Sequence, residues 1–232
     1  MIYFGMNRNL EILLKGILVF PLMGRALGGN NTLALDFSPA NQELQSVNLS
    51  NTAEFDTYVF GLLKASGKSY GIGGYFEHRA IYSRSEVFAT EKEDFRDIHL
   101  GVDVWAQAGH PVFAPLAGKV HSFQDNEGFG NYGPTIILEH DIQGYKLYSL
   151  YGHLKRSDLL GLEVGQGIAA GQEFCHLGPY PENGDWPAHV HFQLMWDMQG
   201  NMGDFPGVCS HRDIEKFKAL CPDPNLLIYR GL

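Results

Sequence analysis

The sequence predicts a mainly β chain, and three observations carry that prediction. Glycine is abundant, at 28 of 232 residues. Between about residues 96 and 198 it recurs at turn-like intervals, at Gly109, Gly118, Gly128, Gly133, Gly144, Gly161 and Gly171, which marks a succession of short strands. Residues 135–138 (Thr, Ile, Ile, Leu) read as a buried strand, and residues 145–151 combine aromatic and aliphatic side chains with strand propensity.

Two helices frame this β region. Asn51 is placed to cap a helix, with Glu54 three residues on, as in a capping box. Phe55, Tyr58, Val59, Leu62 and Leu63 then follow at helical spacing on one face, and Gly67 is placed to end the element. Near the C-terminus, Ile214, Phe217 and Leu220 share one side of a short helix stopped by Pro222. The texture of the chain divides it into an N-terminal α+β extension over residues 1–95 and a β domain with a C-terminal tail over 96–232.

Composition narrows the function. The net charge of −9 argues against nucleic acid as a partner, because phosphate binding needs a basic surface. It argues equally against docking on anionic lipid. Residues 10–23 form the most apolar stretch near the start but contain Glu11, Lys15 and Pro21, too short and too interrupted for a membrane span. As an export signal this stretch is weak, with Arg8 before it and a poor cleavage site at 24–26. A buried helix or strand is the expectation, and a cytoplasmic location is favoured over export. Three cysteines, Cys175, Cys209 and Cys221, give no C-x-x-C pair and read as buried thiols; one disulfide with a free thiol stays open. Oligomeric state is not legible.

Ten histidines punctuate the chain, and two segments set four residues apart as a candidate site. In residues 99–105 (His-Leu-Gly-Val-Asp-Val-Trp), strand alternation puts Leu100, Val102 and Val104 on one face and His99, Gly101 and Asp103 on the other. In residues 189–195 (His-Val-His-Phe-Gln-Leu-Met), Val190, Phe192 and Leu194 make the apolar face, and His189, His191 and Gln193 line the other. Two such strands side by side can hold one zinc ion, which favours imidazole nitrogen and carboxylate oxygen. The ligands offered are His99, Asp103 and one of His189 and His191. The remaining histidine is then placed for acid–base work. His153, at a strand end after Tyr151, is a further candidate.

These segments carry a resemblance. H-x-x-x-D at 99–103, Pro-Val-x-Ala-Pro-x-x-Gly-x-Val at 111–120, Tyr-x-His-Leu at 151–154, a Gly-rich segment ending in Gln at 165–172 and His-x-His-Phe at 189–192 together resemble the lysostaphin/LytM-type zinc metallopeptidases. The resemblance covers about residues 96–197. It implies a duplicated hybrid motif, an antiparallel β-sandwich or barrel with zinc in a groove. It also implies His99, Asp103 and His191 as ligands of one Zn2+ ion per chain, and His153 and His189 as the catalytic histidines. The implied activity is hydrolysis of an amide, in peptides of the peptidoglycan cross-link type. A non-catalytic zinc-binding or regulatory domain and a zinc amidase acting on another small substrate are the alternatives.

The chain departs from the family before its His-x-His. Relatives have a small Ser/Thr-Gly-Pro approach where this chain has Gly-Asp-Trp-Pro-Ala at 184–188, so Trp186 is expected to narrow the groove. Tyr151 and Gln193 are further candidate groove residues. Tyr75, Tyr82 and Phe88 are expected in the core, and Arg79 and Arg84 at the solvated surface. Glu77 and His78 should point to opposite faces. An asparagine from residues 30–51 could plug the site.

Overall fold

The computed structural model describes residues 9–84 and 95–230; Arg8, Phe88 and the side chain of Arg84 lie outside the described part. The strands in chain order are β1 (Thr32–Ala34), β2 (Tyr70–Gly73), β3 (Ile98–His99), β4 (Val102–Trp105), β5 (Pro111–Phe113), β6 (Gly118–Asn126), β7 (Gly133–Ile142), β8 (Tyr145–Gly152), β9 (Gly167–Ile168), β10 (Glu173–His176), β11 (His189–Met195) and β12 (Val208–Cys209). The helices are α1 (Leu10–Leu13), α2 (Thr52–Ser66), α3 (Ile214–Leu220) and α4 (Asn225–Ile228).

One sheet of eight strands, ordered β1-β2-β4-β11-β8-β7-β6-β9, organises these elements, with β5–β10 and β3–β12 as separate two-stranded pairs. The mainly β expectation holds. The sheet is mixed rather than wholly antiparallel, because β1 runs parallel to β2 at one edge. The reason lies in the connection: α2 sits between β1 and β2 in the chain, and a helical crossover joins parallel strands.

The N-terminal extension is woven into this architecture. Its β2 pairs with β4, and Leu10, Leu14, Val19, Leu22 and Met23 pack into the same core as Val102, Val104, Val190, Phe192 and Leu194. The apolar stretch over 10–23 is thus core-forming, and no described helix is long and apolar enough to cross a membrane. The helix α2 matches its sequence signature. The Asn51 side chain accepts from the Ala53 and Glu54 amides, and Gly67 closes the helix in the left-handed region.

The face of β4 and β11 opposite that core is also buried, which an ordinary half-exposed sheet would not show. A second apolar cluster covers it. Phe55 of α2 meets Phe37, Trp105 and Trp186 at ring-centroid distances of 5.8, 6.0 and 6.4 Å, and Tyr82 joins the same cluster. Tyr82 is buried as expected for a core residue, and it also lines the cavity that opens on Asp103. All three cysteines are free and buried.

A polar chain crosses the sheet under β7 and β8. His140 Nδ1 donates to the Ala117 carbonyl at 2.9 Å, so its Nε2 is the acceptor facing Ser149 Oγ at 2.7 Å. Ser149 Oγ is in turn 3.1 Å from the Tyr151 hydroxyl. Burial holds His140 down at about 4, so the folded chain keeps it neutral where the unfolded chain would charge it.

Two outcomes follow from this packing. Phe55→Ala removes a fully buried ring from the cluster over the site face, and urea denaturation should show a loss of about 3–5 kcal/mol. Stability should also depend on acid. Above about pH 6.5 His140 is neutral in both states. Between there and about 4 only the unfolded chain takes up the proton, so stability falls as pH falls, by up to about 1.4 kcal/mol per pH unit for this histidine. Urea midpoints at pH 7.5 and 5 test this, and an unchanged or higher midpoint at pH 5 contradicts it.

Candidate metal centre

In the antiparallel register of β4 and β11, Asp103 lies opposite His191 and Trp105 opposite His189. Alternation puts all four side chains on one face, as the sequence pattern requires. His99 arrives differently. The single strand expected over 99–105 is broken into β3 and β4, because β3 leaves the sheet to pair with β12. The bend at Leu100–Gly101 still returns His99 to Asp103. Gly101 permits it: a Cβ there would lie 2.7 Å from His191 Nε2 and 2.8 Å from the Phe192 carbonyl.

The three predicted ligands converge. His99 Nε2 is 3.2 Å from Asp103 Oδ1, His191 Nδ1 is 3.2 Å from the same oxygen, and the two nitrogens are 2.9 Å apart. The outer nitrogens are already committed. His99 Nδ1 can only donate to the Gly74 carbonyl, 2.9 Å away. His191 Nε2 donates to Gln193 Oε1 at 2.8 Å, since the Gln193 amide nitrogen is turned to the Pro206 carbonyl at 3.1 Å. Each inner nitrogen therefore presents a lone pair, and so does Asp103 Oδ1, a buried atom without a hydrogen-bond partner. Three buried acceptors facing one another fit a cation, and the set of two imidazoles and one carboxylate suits zinc.

Arg79 completes the ligand geometry. It was expected at the solvated surface, yet it is fully buried, with Nη1 2.5 Å from Asp103 Oδ2 and Nε 2.7 Å from Glu77 Oε2. Two carboxylates compensate its charge, which is what makes such burial tolerable. The pair takes up Oδ2 of Asp103 and leaves Oδ1 facing the two histidines. Burial alone would raise the Asp103 carboxyl, but His99, Arg79 and His189 beside it hold it well below the usual range. Burial, then Arg79, pushes His99 down to about 3.

His189 and His153 stand beside this triad. His189 Nδ1 donates to the Pro187 carbonyl and His153 Nδ1 to the Asn183 carbonyl, both at 2.8 Å. Their Nε2 atoms are left as acceptors. The two rings are 4.2 Å apart, and His189 stacks on Trp105 at 4.0 Å. Burial drives His189 to about 4 and His153 well below the ordinary histidine range, so both are neutral bases. His153 is held in the left-handed region at φ 63°, a conformation costly for a residue with a Cβ. Its amide donates to the Tyr132 carbonyl at 2.8 Å and its carbonyl accepts from Gly178 at 2.9 Å.

A cavity of about 320 Å³ opens on Asp103, His153, His189 and His191. Trp186 lines it as expected, packed against Phe55, with its indole N–H on the Asn131 carbonyl at 3.1 Å. Tyr151 is not a groove residue. It is fully buried in the main core, opposite Phe192 and Ile136 in the sheet, because its alternation puts the ring on the apolar face. Gln193 is not a groove residue either: buried behind His191, it orients that ring. Of the asparagines in 30–51 that could plug the site, Asn31 is used on Gly28 and Ala26, Asn41 on Asp36 and Asn51 at the α2 cap. Tyr132, with its hydroxyl 3.3 Å from His191 Nε2, was not anticipated. It comes from the loop before β7, where nothing in the sequence marks it.

A sheet-borne His–Asp–His cluster flanked by two neutral histidines thus offers a metal-binding donor set with bases beside it. Residues 97–202, a little under half of the chain, match the model of Peptidase family M23, and over that segment the chain is similar to M23/LytM-type peptidases. Similar solved structures include a zinc-containing peptidase from Vibrio cholerae, at 24% identity over 42% of this chain and 27% of that one, with a TM-score of 0.32. The catalytic domain of lysostaphin from Staphylococcus simulans aligns at 25% identity over 53% of this chain and 80% of that one, with a TM-score of 0.35. The catalytic domain of the prophage-encoded M23 protein EnpA from Enterococcus faecalis aligns at 23% identity over 50% and 92%, with a TM-score of 0.36. The chain spans 27% of the Vibrio protein and 44% of the longer lysostaphin chain. No curated protein matches it.

The orientation of His191 by Gln193 is testable. Gln193→Leu should weaken zinc binding about 10–100-fold by titration calorimetry, the range for losing a partner of a ligating histidine. Affinity equal to that of the unaltered chain would show that the bond to Gln193 does not set the ring.

Proposed function

We propose that this chain is a zinc-dependent peptidase that hydrolyses an amide bond, in substrates of the peptidoglycan cross-link type. The observation that carries this reading is the convergence of His99 Nε2, His191 Nδ1 and Asp103 Oδ1 with every competing proton already assigned elsewhere. These three residues would hold the ion. Bound there, zinc would supply Lewis acidity, polarising a carbonyl and making water a stronger acid.

The rest of the chemistry belongs to the protein. His189 and His153 each aim an unprotonated Nε2 at the cavity, so either can take a proton from water and return it to a departing amine. The stacked Trp105 and the Pro187 carbonyl fix the His189 ring. Arg79 holds Asp103 by one oxygen. Tyr82 and Trp186, with residues 205–208, wall the cavity. Burial of the site favours a second reading of the substrate: none of the five His and Asp residues is more than 6% exposed, which suits a short peptide or another small amide better than a wide polymer.

The test separates ligand from base. His99→Ala should lose the tightly bound zinc equivalent of this centre, measured by metal analysis after dialysis. His189→Ala should retain that equivalent and lose about 10²–10⁴ in turnover on a panel of cross-linked muropeptides and short dipeptide amides. Retention of the tight equivalent in His99→Ala would remove the ligand assignment. Full turnover in His189→Ala would remove its role as base.

A further inference from the structure

A second cluster of the same composition lies outside the cavity. His78, Asp97 and His211 bring one ligand atom each to within 4.8 Å of one another. His78 Nε2 is 2.9 Å from Asp97 Oδ2, and His211 Nε2 is 3.8 Å from Asp97 Oδ1. The two rings face each other edge to face, with centroids 5.3 Å apart. Asp97 Oδ1 is buried and has no hydrogen-bond partner, the same condition as Asp103 Oδ1 in the first centre. At 3.8 Å, His211 is too far to satisfy it by a hydrogen bond.

We propose that His78, Asp97 and His211 form a second metal site, for a divalent transition ion with zinc foremost, that ties together the three chain segments around the first centre. Zinc takes imidazole nitrogen and carboxylate oxygen at about 2.0–2.2 Å in a tetrahedron, which sets ligand atoms about 3.3–3.5 Å apart. His211 Nε2, at 3.8 Å from Asp97 Oδ1, is close to that value, and His78 Nε2 sits 2.9 Å from the other carboxylate oxygen, Oδ2. Both histidine side chains are largely exposed, so their rings can turn the remaining few tenths of an ångström. Solvent would supply the fourth ligand.

The neighbouring sequence explains the outward aim. Glu77 and His78 are adjacent on an extended segment and point to opposite sides. Glu77 turns inward to Arg79, and His78 turns outward to Asp97. The segment is laid against the strand that precedes the first centre: His78 forms a bridge with Ile98, the His99 amide donates to the Glu77 carbonyl, and the Arg79 amide donates to the Asp97 carbonyl, both at 2.9 Å. His211 follows β12, which pairs with β3. An ion on the three ligands would therefore clamp the segment carrying Arg79, the strand carrying His99 and the wall at 206–208. The site uses no residue of the first centre and does not depend on the activity proposed for it.

Zinc chloride titrated into the chelator-treated chain reads this directly. The unaltered chain should take up two equivalents. His99→Ala should keep one, and adding His211→Ala to it should leave none. Because those chains could suffer in folding, His78→Ala and His211→Ala are also made singly. Each should bind one equivalent instead of two and keep the circular dichroism of the parent. Cobalt should give the parent visible absorption that falls by one site's share in both. One equivalent in the parent, with no change in His78→Ala and His211→Ala, would overturn the proposal and leave the cluster as a hydrogen-bonded strap.

Discussion

Three polar atoms, His99 Nε2, His191 Nδ1 and Asp103 Oδ1, meet within 3.2 Å of one another, with the outer nitrogens of both rings already engaged elsewhere. Buried lone pairs in that arrangement repel unless a cation lies among them. Much of the surrounding structure follows from keeping them there. The carbonyl of Gly74, the amide of Gln193 and the guanidinium of Arg79 each take up the other polar atom of one ligand. Gly101 makes room where a side chain would strike His191. The same logic extends to His153 and His189, whose outer nitrogens are fixed by backbone carbonyls so that their inner ones stay basic.

The N-terminal residues are part of this arrangement rather than an attachment to it. They supply one end of the main sheet through β1 and β2, a layer of aromatic rings through Phe37 and Phe55, and the positive charge beside Asp103 through Arg79. The result is a site whose polar groups come from β3, β4, β11 and the end of β8 and whose walls come in part from residues distant from them in sequence. Trp186 illustrates the coupling. Its ring packs on Phe55 of α2 on one side, and its backbone leads into the His189–His191 strand on the other.

How much of this was legible depended on whether the signal was periodic. Alternation along 99–105 and 189–195 put the ligands on a common face, and the structure keeps them there even though β3 and β4 are separate strands. The capped helix α2 and the short α3 followed from local rules of the same kind. Tyr151 and Gln193 were misplaced because motif adjacency says that a residue is near the site, not whether it faces the cavity or stands behind a ligand.

The sequence by itself determined the local facts: which residues alternate, where helices begin and end, and which side chains can bind a metal or move a proton. These depend on neighbours within a few positions. Only the tertiary structure decided that Arg79 would be buried against Asp103, that Tyr132 would reach His191, and that His78, Asp97 and His211 would share a corner. Those contacts join segments 19 to 133 residues apart, and nothing in a local pattern says which distant loop will supply the compensating charge. A buried arginine and a solvated one look alike in sequence. Burial becomes possible only when the fold brings two carboxylates to the same guanidinium, as it does here with Glu77 and Asp103.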